Sequence, residues 1–577
     1  MKKFRDCFMP KKYERMTISL KKEAILHIPM SEYAHAINEE RVVLRLRAAK
    51  DDLKECILQY GDRSCRQNPV VFSPVKMSIK YTDMLFDWWE VEFDSMYRRI
   101  CYYFELKGSH EQSNEKILYY ADMFFDELST ERSEVYQLPF IHRADIAKSP
   151  DWAKDAVIYN IFPDSFATGK GYISGKSSKK EHNGNISLGK LGGTINGITE
   201  NVDYLCELGV NCIYINPFFA AGQYHKYDLI DYYNVDPCFG TNADFAKMVS
   251  TLKGRDIRVI VDGVFNHCGW HFFAFDDVVK NGENSKYADW FYRLEYPVIR
   301  PDSMETIPNY ECFAYERLMP KMNTANPEVI AYFSDVCQYW LREYNIDGWR
   351  LDVAEETNDD FWRSFKKAAQ EVNPDVLLIG EIWTNAGHWL DGTMFHSAMN
   401  YDFRKHCRDF FAKGILNAEE FNARVVSMLT RYRKNLNYSQ LNLLSSHDVS
   451  RFYSLCEEDK KRLKLAVLFQ MCFVGIPSIY YGEEQGLTGI TEDEYRRPMT
   501  WNGDTEIFSF YKKVIAMRKK NVALSRGEFE TIYAYESLFV FRRTYNDEHV
   551  TIIMNVDDKP TIYDGIEIEP FGFKIQE

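Results

Sequence analysis

Four short segments carry acids and histidines just after apolar runs: Asp262-Gly263-Val264-Phe265-Asn266-His267, Gly348-Trp349-Arg350-Leu351-Asp352, Gly380-Glu381-Ile382-Trp383 and Ser446-His447-Asp448. Any one of these acids alone reads as a helix cap or a surface charge. Four apolar runs that each deliver Asp, Glu or His at the same end are much harder to obtain by accident. Three acids, two histidines and an arginine, with no thiol or hydroxyl nucleophile among them, suit glycoside cleavage. One carboxylate attacks the anomeric carbon; a second acid of raised pKa protonates the leaving oxygen and then activates water. On adjacent strands, Asp352 and Glu381 can stand at the roughly 5–5.5 Å separation of a retaining mechanism. Arg350 lies two residues before Asp352, so on the same strand face, where its charge would keep Asp352 ionised. That leaves Asp448 to bind sugar hydroxyls and stabilise the cation-like ring, with His267 and His447 as hydrogen-bond donors. The competing chemistry is a metal hydrolase using His267, His447 and the acids, and no HxH or HExxH spacing supports it.

These segments need a scaffold that brings them to one face. After Trp152, short apolar runs at 157–162, 212–216, 259–262, 348–351, 376–380, 398–400, 441–444 and 478–481 alternate with amphipathic stretches at 198–208, 243–253, 329–344 and 361–372. Eight strands alternating with helices predict a (β/α)8 TIM barrel over 141–525, with the acids at its C-terminal face. The gap at 268–323 is too long for a simple connection and predicts an inserted B domain. Before the barrel, β-like runs at 24–28, 42–46, 75–81, 88–93, 100–106 and 117–120 predict an N-terminal β-sandwich over 1–140. Runs at 538–542 and 550–554 predict a C-terminal antiparallel β domain over 526–577.

Composition sets the class. With 577 residues, 45% hydrophobic and 27% charged, the chain reads as a globular protein of several domains. The formal net charge of −14 runs against a nucleic-acid partner, which needs a basic face. The 13 cysteines are odd in number, have no CxxC spacing and sit among apolar neighbours, which predicts reduced core thiols and a cytoplasmic location. MKKFRDCFMPKKYERM at the N-terminus has no apolar run after it, so no secretory signal is expected. The apolar stretch 465–481 is broken by Gly475 and Pro477, so no membrane span is expected and a buried helix followed by a buried strand is.

At the motifs the chain resembles the α-amylase superfamily, glycoside hydrolase family 13: DGVFNH (262–267), GWRLD (348–352), GEIW (380–383) and SSHD (445–448) match its four main motifs in order, and GIPSIYYGEEQG (475–486) its eighth-strand motif. MPKMN (319–323), the segment 139–166, YGDR (60–63) and WWEVEF (88–93) are similar to the neopullulanase, cyclomaltodextrinase and maltogenic amylase group, so the similarity covers nearly the whole chain. It implies a starch-binding-module-like N-terminal sandwich. It also implies Asp352 as nucleophile, Glu381 as acid/base and Asp448 as transition-state stabiliser, with Tyr227 stacking on the sugar. Asp262, Asn266, His267, Arg350 and His447 form the hydrogen-bonding shell, Glu356 and Trp383 flank the leaving-group side, and Arg496 or its neighbour Arg497 meets the next sugar.

Three departures bear on those expectations. FATGKGYISG (166–175) and Gly192-Gly193-Thr194 lack the acids of the group's calcium site, so that site is expected to be absent and no cofactor is implied. Glu355 stands where Asn or Asp is usual, which bears on the balance of hydrolysis and transglycosylation. The loop 65–77 lacks the tryptophan that a dimer partner lends and has only Phe72 as an aromatic, which bears on the homodimer implied through the N-terminal domain. The expected activity is hydrolysis of α-1,4 links in cyclodextrins, maltooligosaccharides or pullulan. An exo-acting α-glucosidase that also takes α-1,6 links, and a non-catalytic glucan-binding homologue, are the alternatives.

Overall fold

The structure is a computed structural model that describes residues 20–109, 118–127 and 132–577. The N-terminal stretch 1–16, Cys7 and Ile117 lie outside the described residues. The chain divides into two compact units, Met1–Ile146 and Ala147–Glu577.

The first unit is the expected sandwich. One sheet runs Ala34–Ala36, Arg41–Ala49, Phe86–Asp94, Ser78–Thr82; the other runs Ser73–Lys76, Leu53–Asp62, Ile100–Gly108, Leu118–Ala121, Met123–Phe125, with Tyr136–Leu138 also on Ile100–Gly108. Alternation points Val42, Leu44, Leu46 and Ala48 inward to meet Tyr102, Phe104 and Leu106 in one core. Three details differ from the sequence reading. The run at 24–28 is a single 3₁₀ turn, Lys22–Ala24, and one bridge from Leu26 to Arg47; Pro29 has no amide with which to extend a ladder. The run at 75–81 is two strands, because the chain changes sheets at the buried Met77. The strand Leu53–Asp62 went unread, since Lys54, Glu55 and Gly61 look like turn residues. Phe72 packs edge-on against Tyr103 within this unit, at 5.0 Å between ring centroids.

In the second unit, eight parallel strands close a barrel in the order Ile158–Ile161, Cys212–Ile215, Arg258–Gly263, Gly348–Leu351, Leu377–Gly380, Ser397–Asn400, Leu441–Leu443, Ile476–Tyr480. The eighth strand returns to the first through Ile158 opposite Ser478. These strands are short and buried on both faces, so they read as continuous apolar runs rather than alternating ones. Side-chain caps set the helix starts. Thr241 and Asp244 form a capping box on Asn242–Lys253, Asn326 caps Pro327–Tyr344 and Asn358 caps Asp359–Val372. The single helix expected at 198–208 breaks at the buried Asn201. Its side-chain amide donates to the Gly169 and Gly197 carbonyls and its side-chain oxygen accepts from the Gly171 amide.

Between the third strand and Pro327–Tyr344, the inserted segment forms one α-helix, Phe273–Asn281, the short 3₁₀ turns Gly282–Asn284, Ala288–Trp290 and Phe313–Tyr315, and irregular loop. It closes back on the barrel where Lys321 bridges His267. The apolar stretch 465–481 is the helix Lys460–Cys472 followed by the eighth strand, and no helix among the described residues is long and apolar enough to cross a membrane. A four-stranded antiparallel sheet ends the chain: Glu528–Tyr535, Leu538–Tyr545, Glu548–Asn555, Phe573–Gln576. The buried Arg543 donates to the carbonyls of Cys472, Leu524 and Gly527, tying this sheet to the end of a barrel helix.

Gly348, at the start of the fourth strand, leaves no room for a side chain. A Cβ there would stand 2.5 Å from the Leu377 carbonyl oxygen and 3.3 Å from Ile260. Gly348→Ala should therefore push the fourth strand off the fifth and cost about 1–3 kcal/mol in a denaturant titration. An unchanged midpoint would show that the close approach is not needed.

Candidate active site

The C-terminal ends of the third, fourth, fifth and seventh strands converge on one buried cation. Asp262 and Arg350 are register partners on neighbouring strands, and Asp352 and Glu381 each follow the last residue of theirs. Arg350 is fully buried. Its Nη1 donates to Asp262 at 3.0 and 3.2 Å and to Asp352 Oδ1 at 2.7 Å. Its Nη2 lies 2.7 Å from Glu381 Oε1 but is not aligned for a hydrogen bond, so this third contact is an ion pair only. Burial works against the charged guanidinium; Asp262 and Glu381 outweigh it and hold its pKa well above the ordinary value. For Asp352, burial and the charge of Glu381 push the carboxyl well above the usual range, against the pull of Arg350.

A chain of amides fixes the other side of the site. Asn160 donates to Asn216 Oδ1 at 2.9 Å, and Asn216 donates to His447 Nδ1 at 3.0 Å. With that amide orientation the His447 proton sits on Nε2, which lies 2.9 Å from Asp448 Oδ2 and also contacts the Tyr227 hydroxyl. The Tyr227 ring lies parallel to the His447 ring, 5.5 Å away and tilted by 8°. Burial opposes ionisation of Asp448, but His447, Arg350 and Arg496 prevail and hold it below the usual carboxylate range. Arg496 donates to Asp448 Oδ1 at 3.3 Å and to the His447 carbonyl at 2.8 Å. Arg497 instead donates to the Glu494 carbonyl, so Arg496 is the arginine that touches the acid.

On the insertion side, His267 is buried with its Nε2 unpartnered and its ring stacked on Phe313 at 5.0 Å. Burial and the charge of Lys321 lower its pKa to about 3, so the ring is neutral. Lys321 Nζ joins Asn266 Oδ1 to the Glu356 carbonyl and carboxylate, at 3.1 and 3.3 Å for the latter two. Trp383 is 45% exposed and lies flat on Tyr401, with ring centroids 3.9 Å apart and planes within 7°. The structure thus gathers the expected residues around Arg350, Asp448 and the His267 edge. It adds Tyr214, whose hydroxyl donates to Asp262 at 2.5 Å, together with Asn216, Lys321 and Tyr401. Tyr401 directly follows the sixth strand, and that position was the available signal.

Near the segments where the resemblance places calcium, the polar side chains have protein partners. The Asp164 carboxylate already accepts backbone amides of Lys190, Leu191 and Gly192, and Thr194 is spent capping the helix Ile195–Glu200. Among the described residues no group of three or more His, Cys, Asp or Glu is arranged to hold a metal ion. The twelve described cysteines are all unpaired.

Residues 160–505 match the family described as "Alpha amylase, catalytic domain", and residues 20–142 match "Alpha amylase, N-terminal ig-like domain". The chain belongs to the α-amylase family. It is 40% identical to a cyclomaltodextrinase of Geobacillus thermopakistaniensis (strain MAS1), over 93% of this chain and 91% of that one. It is 39% identical to neopullulanase 2 of Thermoactinomyces vulgaris, over 92% and 91%. A solved cyclomaltodextrinase structure superposes with a TM-score of 0.86 at 37% identity, covering 94% of this chain and 92% of that one. As an α-amylase family member the chain is a glycoside hydrolase.

Arg350→Met would leave Asp262, Asp352 and Glu381 buried without their cation. A loss of about 3–5 kcal/mol at pH 7 is expected from denaturant unfolding. In that variant the stranded carboxyls have raised folded-state pKa values, so the folded state takes up protons and part of the loss should be recovered at pH 5. A loss below about 1 kcal/mol at both pH values would contradict the electrostatic account.

Proposed function

We propose that this chain cleaves α-1,4-glucosidic bonds in cyclodextrins, maltooligosaccharides and pullulan with retention, through a covalent intermediate on Asp352. One observation carries the reading: two acids at the ends of adjacent barrel strands flank one buried arginine, and its aligned hydrogen bond falls on Asp352. That bond aims one Asp352 oxygen and fits it to the role of nucleophile, while Glu381, without an aligned bond from Arg350, fits the role of acid/base.

In the first step Asp352 forms a bond to the anomeric carbon. The glycosidic C–O bond breaks, and Glu381 gives its proton to the leaving oxygen. In the second step Glu381 takes a proton from water, the water oxygen bonds to the anomeric carbon, and the Asp352 ester bond breaks. Asp448, kept ionised by His447 and Arg496, faces the positive charge that develops on the ring. Tyr227 offers its ring face to the sugar, and the unpartnered Nε2 of neutral His267 is free to bond a hydroxyl. Trp383 and Tyr401 form an aromatic pair beside Glu381 for the leaving portion. Both proton transfers and the covalent step use side chains, so activity is expected to be independent of calcium. The proposal extends to a homodimer through the N-terminal unit, to be read as twice the monomer mass in light scattering.

The substrate class rests on the relatives named cyclomaltodextrinase and neopullulanase. Purified protein, with EDTA present, should open β-cyclodextrin faster than it cleaves soluble starch. Equal rates would indicate an open cleft and a starch hydrolase. Asp352→Asn should lower kcat by at least about 10⁴-fold with the unfolding midpoint retained; near-normal turnover would remove Asp352 as nucleophile.

A further inference from the structure

The inserted segment and the fourth-strand loop enclose a cavity of about 480 Å³ that none of the catalytic steps above uses. Lys321 and Glu356 line it, and they tie it to the site. Glu356 ends the 3₁₀ turn Ala354–Glu356, and the start of that turn grips Glu381. The Val353 amide donates to Glu381 Oε2 at 3.0 Å, and the Ala354 amide donates to the Glu381 carbonyl at 3.2 Å. The cavity therefore borders the turn that holds the acid, and whatever fills it lies on the leaving-group side.

Two tyrosines, Tyr292 and Tyr315, also line the cavity. Tyr315 is 67% exposed, and an unusual turn puts it there. The Glu316 amide donates to the Phe313 carbonyl at 2.7 Å, closing a four-residue turn around Ala314 and Tyr315. Both central residues are left-handed, with φ 47° at Ala314 and 63° at Tyr315. That conformation favours Gly or Asn, so an Ala-Tyr pair holds it under strain. The charges along the wall are matched. Arg293 lies 3.2 Å from Glu311, and Lys321 lies 3.3 Å from Glu356. A cavity of this size with two aromatic side chains, hydrogen-bonding groups and paired charges suits a neutral polyhydroxy ligand better than an anion.

We propose that Tyr315 is a specificity-determining residue: its ring and the paired polar groups beside it bind the glucosyl units of the leaving portion, so that substrates extending past the scissile bond are favoured. The inference rests on Glu381 being the acid/base of a glycosidase.

The test compares kcat/KM for maltopentaose, which leaves a sugar, with that for α-maltosyl fluoride, which leaves fluoride only, in the full-length enzyme, in Tyr315→Gly and in Tyr315→Phe. Glycine suits the left-handed position, so Tyr315→Gly removes the ring and keeps the turn. With maltopentaose it should lower kcat/KM by about 5- to 20-fold, the loss falling on KM. With the fluoride the change should stay within about twofold. Tyr315→Phe, which keeps the ring, should retain most of the maltopentaose activity. Equal losses on both substrates would mean that the ring supports the fold or the catalytic geometry, and no loss on either would mean that it binds nothing; each result overturns the site and leaves the glycosidase reading standing. If the unsubstituted enzyme turns over neither substrate, the glycosidase reading fails and the role of Tyr315 falls with it.

Discussion

Everything at the C-terminal face of the barrel is organised by one buried charge. Arg350 is fully buried, and a lone guanidinium in that position would be untenable. Asp262 from the strand before it, Asp352 from its own strand and Glu381 from the strand after it make the burial tolerable. The same contacts fix where those acids point. Structure and chemistry therefore share one constraint: the three acids cannot leave Arg350 without stranding it, nor it them. A barrel suits this arrangement, because neighbouring parallel strands deliver successive side chains to the same depth.

Around that centre the protein divides its polar groups by state. His447 is held in one tautomer by the Asn160–Asn216 relay and faces Asp448 with a proton. His267 is kept neutral by burial and by Lys321, and its Nε2 has no hydrogen-bond partner. Two histidines with similar sequence surroundings, each next to a strand end, thus have different hydrogen-bonding partners. Lys321, from the inserted segment, links Asn266 of the third-strand loop to Glu356 of the fourth, so the insertion braces the site as well as walling it.

Much of this was legible in the sequence because it is local. Arg350 and Asp352 are two residues apart on one strand, so their shared face follows from the period of a strand. The barrel followed from eight apolar runs spaced by amphipathic stretches. What stayed hidden depends on contacts between distant segments. Asn216 and Tyr214 lie next to a strand end like any others, and only the closed barrel brings them to His447 and Asp262. Arg496 and Arg497 are equivalent on paper; the backbone after the helix Glu492–Tyr495 turns one toward Asp448 and the other toward the Glu494 carbonyl. In the sandwich, the strand Leu53–Asp62 was missed because Lys54, Glu55 and Gly61 look like turn residues and interrupt the alternation that its inward Cys56 and Leu58 begin.

The central claim is that Asp352 forms a bond to the sugar. The direct measurement is to trap that bond with a maltosyl fluoride carrying a second fluorine on the reacting ring, which slows hydrolysis of the intermediate, and to locate the label by peptide mass spectrometry. The account predicts one fluoromaltosyl group per chain, on the peptide that contains Asp352. A label on a different carboxylate, or steady turnover to the β-anomer with no label, would contradict it.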